Sequence, residues 1–389
     1  MPLMGTLSFR IPCVPHSPKA TTTQYRLETV SRACRLLRHF TKDHPSFSLK
    51  ELAESAGIER TICFRLLHTL EQEGFVRRID KRHYVSNLRI LSATRFRIGY
   101  ASQSRDSFSS ALSQGLHWAA SEMEMDLVEL DNQYSARTAV RNAEALVKQK
   151  VDLAIEFQVF DKVGPRISQI FQAAGVPFIA VEIPHPGATF FGVDNFKAGV
   201  LAGKHLLKAA QHRWHGECSE VLLLDLGIAG SLPALRMAGA ESVLSKGLSG
   251  SHSTFHIDSR GQFVNAFELT RKHLQFAPRR RTLLAGVNDS AVMGALRAFE
   301  EIGRRDLCMA VGLGAIREAR QELRLPNSPL IASVAFFPER YGEGLLRLAL
   351  DLLQKRDVPP AIYVPIQLLY RNNVDQLYPE DLFDMSGQC

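Results

Sequence analysis

Residues 48–86 read SLKELAESAGIERTICFRLLHTLEQEGFVRRIDKRHYVS, and the reading of this stretch decides how the N-terminal part of the chain folds. Ser48-Leu49-Lys50-Glu51 has capping-box spacing, in which a Ser hydroxyl takes the amide three residues on and a Glu carboxylate reaches back. The helix it opens is short, because Gly57 supplies the backbone freedom of a turn, and Ile58 is expected to plug that turn into the core. Glu59 to Glu73 predicts a longer helix with Ile62, Leu66, Leu67 and Leu70 inward and Gly74 as its stop. Residues 75–85 alternate like a two-stranded hairpin with Asp80-Lys81 at the tip. Upstream, Leu27, Val30, Ala33, Cys34, Leu36, Leu37 and Phe40 recur at helical spacing between Tyr25 and Phe40, predicting a supporting helix.

This succession is the pattern of a winged helix-turn-helix. Removing the inward positions of its longer helix leaves Arg60, Thr61, Phe64, Arg65 and His68 near the helix start, where recognition helices reach base edges. Arg77, Arg78, Lys81 and Arg82 are expected to run along the phosphates as the wing. Charge agrees: of a net +7 for 389 residues, residues 25–97 hold 15 Lys and Arg against 8 Asp and Glu, and residues from 98 onward sum to −2. A basic head on a near-neutral body suits phosphate binding by counterion release. In the runs Leu49-x-Glu51-Leu52-Ala53-x-x-x-Gly57-Ile58 and Arg65-Leu66-Leu67-x-Thr69-Leu70-x-x-x-Gly74-Phe75-Val76-Arg77-Arg78 the head resembles the DNA-binding domain of IclR-type transcription regulators, over about 70 residues.

Six cysteines (Cys13, Cys34, Cys63, Cys218, Cys308, Cys389) show neither zinc spacing nor a disulfide framework, and read as reduced thiols. Residues 1–24 carry four prolines and no apolar run suited to an export signal, and no stretch of 18 apolar residues occurs anywhere. The expectation is a cytoplasmic protein with no membrane partner and a disordered tail at 1–24.

Beyond Arg97 the pattern changes. Apolar runs at Ile98–Ala101, Leu127–Leu130, Leu153–Phe157, Phe178–Val181, Val221–Leu224, Leu283–Val287 and Met309–Val311 are each expected to lead into a helix, so an α/β body with parallel sheets is predicted. Ligands of such sheets bind past the carboxyl ends of the strands, which points to loops carrying Asp106-Ser107-Phe108, Glu182-Ile183, Gly192 to Asn195, Ser231 to Arg236, Asn288-Asp289 and Phe336-Phe337. In Gly192-Val193-Asp194-Asn195, Arg236-x-x-Gly239, Asn288-Asp289-x-Ala291-x-x-Gly294-Ala295-Leu296-Arg297 and Ala332-Ser333-Val334-Ala335 the body resembles a type I periplasmic-binding-protein domain. That fold is shared by ribose-type solute receptors and the effector domains of LacI-type repressors.

The resemblance implies a two-lobed sugar-binding fold at 97–375, after a winged helix-turn-helix at 25–96 and before a C-terminal tail at 376–389. It implies ligand contacts from Asp106, Phe108, Glu182, Arg236 and Asn288. Where the family has a second aromatic, a paired arginine, an aspartate and a glutamine, this chain has Ser109, Ile183, Gly314 and Phe336. Losing three polar groups argues against a fully hydroxylated sugar. Phe108 and Phe336 are expected to stack on an apolar ligand face, and Arg236 to meet an acidic or hydroxyl group. Asp289 reads as a helix N-cap, and Asp194-Asn195 as a hinge between lobes at about 97–194 plus 337–362 and 195–335 plus the tail.

Signs of catalysis are thin. Gly312-x-Gly314-x-x-Arg317 lacks the third glycine of a dinucleotide fingerprint, no Walker loop or nucleophile elbow occurs, and no cofactor or metal is expected. The expected function is a ligand-responsive DNA-binding regulator that meets a double-stranded operator and a sugar-like or related metabolite, and the resemblance implies a homodimer. The linker from Val85 to Arg97 lacks Gly and Pro, which favours transmitting motion along it. A transport receptor and an α/β enzyme are the alternatives.

Overall fold

The computed structural model describes residues 27–40, 44–80, 82–86 and 96–381. Its contacts divide the chain into two compact units, Met1–Thr94 and Arg95–Cys389. Lys81, most of the linker, the 1–24 tail and the last residues of the C-terminal tail lie outside the described residues.

The smaller unit contains α1 (Glu28–His39), β1 (Ser46–Ser48), α2 (Leu49–Ala56), α3 (Arg60–Gln72), β2 (Val76–Arg78) and β3 (His83–Ser86). The capping box at α2 is formed: the Glu51 amide donates to Ser48 Oγ at 3.3 Å and the Ser48 amide to Glu51 Oε2 at 2.8 Å. Gly57 sits at φ 62°, in the left-handed region that only glycine enters without strain. There the Ile58 amide reaches back to the Ala53 carbonyl and delivers the Ile58 side chain into a core with Leu36, Leu52 and Leu67. Each fully buried aliphatic residue there contributes roughly 1.5–3 kcal/mol.

Three expectations for this unit change. The hairpin is part of a three-stranded antiparallel sheet, because Ser46–Ser48 pairs with His83–Ser86; a three-residue strand has too short a period to read from sequence. On α3, Cys63 is fully buried while Ile62 is half-buried. On α1 only Leu36 is fully inward, and Leu27, Val30 and Cys34 are exposed, so three of the seven residues of that apolar series do not reach the core.

The larger unit runs β4 (Arg97–Ser102), α4 (Ser107–Glu122), β5 (Asp126–Asp131), α5 (Ala136–Lys148), β6 (Leu153–Glu156), α6 (Gly164–Ala173), β7 (Phe178–Val181), β8 (Thr189–Gly192), α7 (Asn195–Trp214), β9 (Glu220–Asp225), α8 (Ser231–Gly247), β10 (Ser253–Asp258), α9 (Phe263–Phe276), β11 (Thr282–Gly286), α10 (Asp289–Glu301), β12 (Cys308–Gly314), α11 (Arg317–Arg324), β13 (Leu330–Ala335), α12 (Tyr341–Leu353), β14 (Ala361–Tyr363), β15 (Gln367–Leu369) and α13 (Val374–Leu377). Two six-stranded sheets result, in the orders β14-β8-β7-β6-β4-β5 and β10-β9-β11-β12-β13-β15. All neighbours are parallel except β15, which runs antiparallel to β13.

Each sheet with its helices makes one lobe. The chain passes between lobes three times, from β8 into α7, from β13 into α12 and from β14 into β15. Asp194-Asn195 occupies the first of these passages, where the Asp194 carboxylate accepts from the Lys197 amide and caps α7.

All seven predicted apolar runs lie on strands, but β8, β10, β13, β14 and β15 were not among them, and one connection differs. β7 leads into β8 rather than into a helix, through the short loop 182–188, which turns back with Glu182 at φ 60° and Gly187 at φ 76°. β10 escaped notice because an edge strand with one exposed face, Ser-Thr-Phe-His-Ile-Asp, carries no continuous apolar run.

Candidate functional site

On the smaller unit, Arg60, Thr61, Phe64, Arg65 and His68 are all exposed along α3. The Phe64 and His68 rings stack at 6.3 Å, one turn apart. Successive residues of a strand point to opposite faces, so Arg77 and Arg78 do not share one. The Arg78 guanidinium sits 5.0 Å from the centre of the Tyr84 ring and 3.4 Å from Glu71, which ties the hairpin to α3. Arg77 and Arg82 remain exposed. Asp80 shapes the tip: it accepts from the Arg82 and His83 amides, and those bonds with His83 Nδ1 hold its carboxyl down at about 2.

In the larger unit the six expected ligand residues, Asp106, Phe108, Glu182, Arg236, Asn288 and Phe336, line a single cavity of about 510 Å³ between the lobes. Two hydrogen bonds bridge the lobes: Ser107 Oγ donates to Glu318 at 2.6 Å, and the Tyr134 hydroxyl to the Arg260 carbonyl at 2.6 Å.

At the cavity wall stands a buried ion pair. Arg236 Nη2 donates to Glu182 Oε2 at 2.7 Å, Nε to Asn195 Oδ1 at 2.6 Å and Nη1 to the Val287 carbonyl at 3.0 Å. The Tyr341 hydroxyl donates to the other Glu182 oxygen at 2.8 Å, and the guanidinium lies 5.0 Å from the centre of the Phe336 ring. Burial pushes the Glu182 carboxyl up, while the Arg236 charge and the Tyr341 hydroxyl pull it back. Arg236, expected to meet an acidic or hydroxyl group of a ligand, thus stands at the cavity wall with its charge neutralised by Glu182.

Two other candidates are committed to the scaffold. Asp106 caps α4, accepting from the Ser109 amide at 2.9 Å and from the hydroxyls of Ser104 and Ser109. Asn288, not Asp289, caps α10: its Oδ1 accepts from the Ala291 amide at 3.0 Å and its Nδ2 donates to the Gly261 carbonyl at 2.9 Å. Asp289 is wholly buried, taking Ser333 Oγ at 2.7 Å and the Ile316 amide at 3.0 Å, and burial raises its carboxyl to about 6. It also explains the Gly312 position, where a Cβ would stand 1.9 Å from Asp289 Oδ1.

Gln103, Tyr134, Phe157, Leu313 and the segment Gly261–Val264 line the cavity too, and the sequence reading missed them. Gln103 directly follows the first strand, a position that pointed to it; Gly261–Val264 follow the overlooked β10. Ile183, Gly314 and Phe336 line the cavity, whereas Ser109 is buried behind Asp106. Among the described residues no cluster of three His, Cys, Asp or Glu could hold a metal ion, and no helix is long and apolar enough to cross a membrane.

Known proteins match both units. Residues 98–357 match the family model of the periplasmic binding protein domain, and residues 29–80 that of the IclR helix-turn-helix domain. The acetate operon repressor of Salmonella typhimurium is 36% identical over 66 residues, 16% of this chain and 24% of that protein. The transcriptional repressor IclR of Escherichia coli is 34% identical over 56 residues, 14% and 20%. The chain thus spans about a quarter or less of the length of these curated relatives.

Solved structures similar to the body include a solute-binding protein of Bacillus halodurans with bound myo-inositol (TM-score 0.64, 18% identity, 74% of this chain and 98% of that one). Another is from Mycobacterium smegmatis with bound glycerol (TM-score 0.66, 19%, 72% and 96%). At such identities the likeness shows the fold alone. The chain belongs to the periplasmic binding protein domain family and carries an IclR helix-turn-helix domain ahead of it.

Proposed function

We propose that this protein is a cytoplasmic transcription regulator that binds double-stranded DNA through α3 and the wing and answers to a small-molecule effector held between the lobes of its body. One observation carries the reading: a single chain unites an IclR-type helix bearing five exposed candidate base-contacting side chains with a two-lobed body enclosing a cavity of about 510 Å³. Arg60 or Arg65 reads a guanine, a contact worth roughly 1–3 kcal/mol of discrimination. Arg77, Lys81 and Arg82 supply phosphate contacts.

Two copies pair so that two heads meet half-sites roughly 34 Å apart, a spacing that tolerates little rotation. An effector that prefers one lobe arrangement shifts that spacing, and coupling on the order of 1–3 kcal/mol suffices. Transport is the second reading, favoured by the solute-binding proteins the body resembles, but it gives the helix-turn-helix no task.

Fluorescence anisotropy with duplexes from the neighbourhood of its own gene tests the proposal. Binding above that of random duplex is expected, with a steep salt dependence. Failure to bind any duplex at low salt, with or without small molecules, overturns it.

A further inference from the structure

We infer that Phe64 reads thymine, its ring meeting the C5 methyl group of that base in the major groove of the half-site where Arg60 or Arg65 reads a guanine; this rests on the DNA-binding reading above. α3 turns Cys63, Leu66, Leu67 and Leu70 into the core and leaves Arg60, Thr61, Phe64, Arg65 and His68 outside. Phe64 is 45% exposed, and among the exposed residues of α3 it alone carries a large apolar side chain.

A single apolar side chain on a surface is ordinary. This one stands between two arginines, so the charge around it suits a polyanion. Thr61, Phe64, Arg65 and His68 recur at the three- and four-residue steps that set side chains on one side of a helix, and Arg60 lies one turn before Phe64. The Phe64 ring is nearly parallel to that of His68, with 7° between the planes and 6.3 Å between the centroids. This contact holds the ring along the exposed face and reduces the rotamer freedom that a contact with DNA has to freeze.

The chemistry of the groove decides what such a ring can meet. Base edges there present hydrogen-bond donors and acceptors, which lose water against an apolar ring and gain no partner. The C5 methyl of thymine is the one methyl group among them. A guanidinium fork answers guanine O6 and N7, so the face pairs a polar reader with an apolar one.

The test uses the 389-residue chain and fluorescence anisotropy. The tightest-binding duplex from the neighbourhood of its own gene is compared with copies in which one thymine at a time is replaced by deoxyuridine. That exchange removes the methyl group and keeps every hydrogen-bonding group of the base. At the thymine that meets Phe64 in each half-site, it should weaken binding about fourfold, the worth of one buried methyl group. Phe64→Ala should bind the parent duplex and that copy alike. Phe64→Leu, which keeps an apolar side chain, should retain a loss of at least about twofold.

If no replacement weakens binding, the inference is overturned. A loss that persists in full in Phe64→Ala overturns it as well, because the methyl group then acts through duplex shape or another side chain. Either result leaves the regulator reading standing. Failure to bind any duplex sinks the regulator reading, and the thymine assignment with it.

Discussion

At Glu156, a carboxyl at the end of β6 with no exposed surface, burial raises the pKa from 4.5 to about 8 against a single hydrogen bond from Asn132. The folded chain therefore holds a proton that the unfolded chain releases near its ordinary value. The stability from this group is complete below about pH 4.5 and declines as pH rises toward 8, by roughly 1.4 kcal/mol per pH unit. Glu156→Gln keeps an acceptor for Asn132 and removes the titration. Urea unfolding should show it flattening stability between pH 5 and 8 and raising it at pH 7 by roughly 2–4 kcal/mol; an unchanged pH profile would show that Glu156 stays ionised. At the buried pair, Arg236→Ala leaves the Glu182 carboxylate without its counterion, held only by the Tyr341 hydroxyl and the Val193 amide, and a loss of roughly 3–5 kcal/mol is expected. Arg236→Ala with Glu182→Leu should recover part of it. No charged residue type announces by itself whether its partner is a ligand or a neighbour, and this is why Arg236 and Glu182 were legible as cavity residues but not as each other's counterion.

Among the elements, α7 and α8 lie so close that a Cβ on Gly199 would stand 1.9 Å from the Arg236 carbonyl oxygen, and one on Gly239 2.4 Å from that of Phe196. This approach places Arg236 at the cavity wall. Gly199→Ala must push the helices apart, at roughly 1–3 kcal/mol; thermal melts should show the loss, and effector affinity should fall with it. For α2, Ser48→Ala removes an observed cap and should cost about 1 kcal/mol, read from the unfolding of the whole chain. Elements with local signals, such as the Ser48 cap, the Gly57 turn and seven of the body's apolar strands, were readable from sequence. β1, β8, β10, β13, β14 and β15 were not among the runs read: a three-residue strand such as β1 and an exposed edge such as β10 exist only because a neighbouring strand supplies their hydrogen bonds.

For the whole molecule, closure of the lobes rests on contacts such as Tyr134 to the Arg260 carbonyl and Ser107 to Glu318. Tyr134→Phe combined with Ser107→Ala should favour an open body, seen as a larger radius of gyration in solution scattering and a faster effector off-rate; unchanged values would assign closure to the packed apolar cluster around Val159, Ile183 and Leu226. In DNA binding, Arg65→Ala should lower preference for one duplex over another, whereas Arg82→Ala should weaken all duplexes alike and reduce the salt slope by about 1. The sequence by itself determined the order of the two domains, the helix-turn-helix with its exposed basic face, the α/β character of the body and several of the loops that meet at its cavity. Each of these follows from capping, turn chemistry and hydrophobic period, which act over a few residues. The tertiary structure alone decided that Arg236 is neutralised by a carboxylate 54 positions away, that the same carboxylate takes a hydroxyl 159 positions away, and that Asn288 rather than Asp289 caps its helix. Such pairings form only when the folded chain brings distant groups into one dry space, where an unpaired charge is too costly to survive.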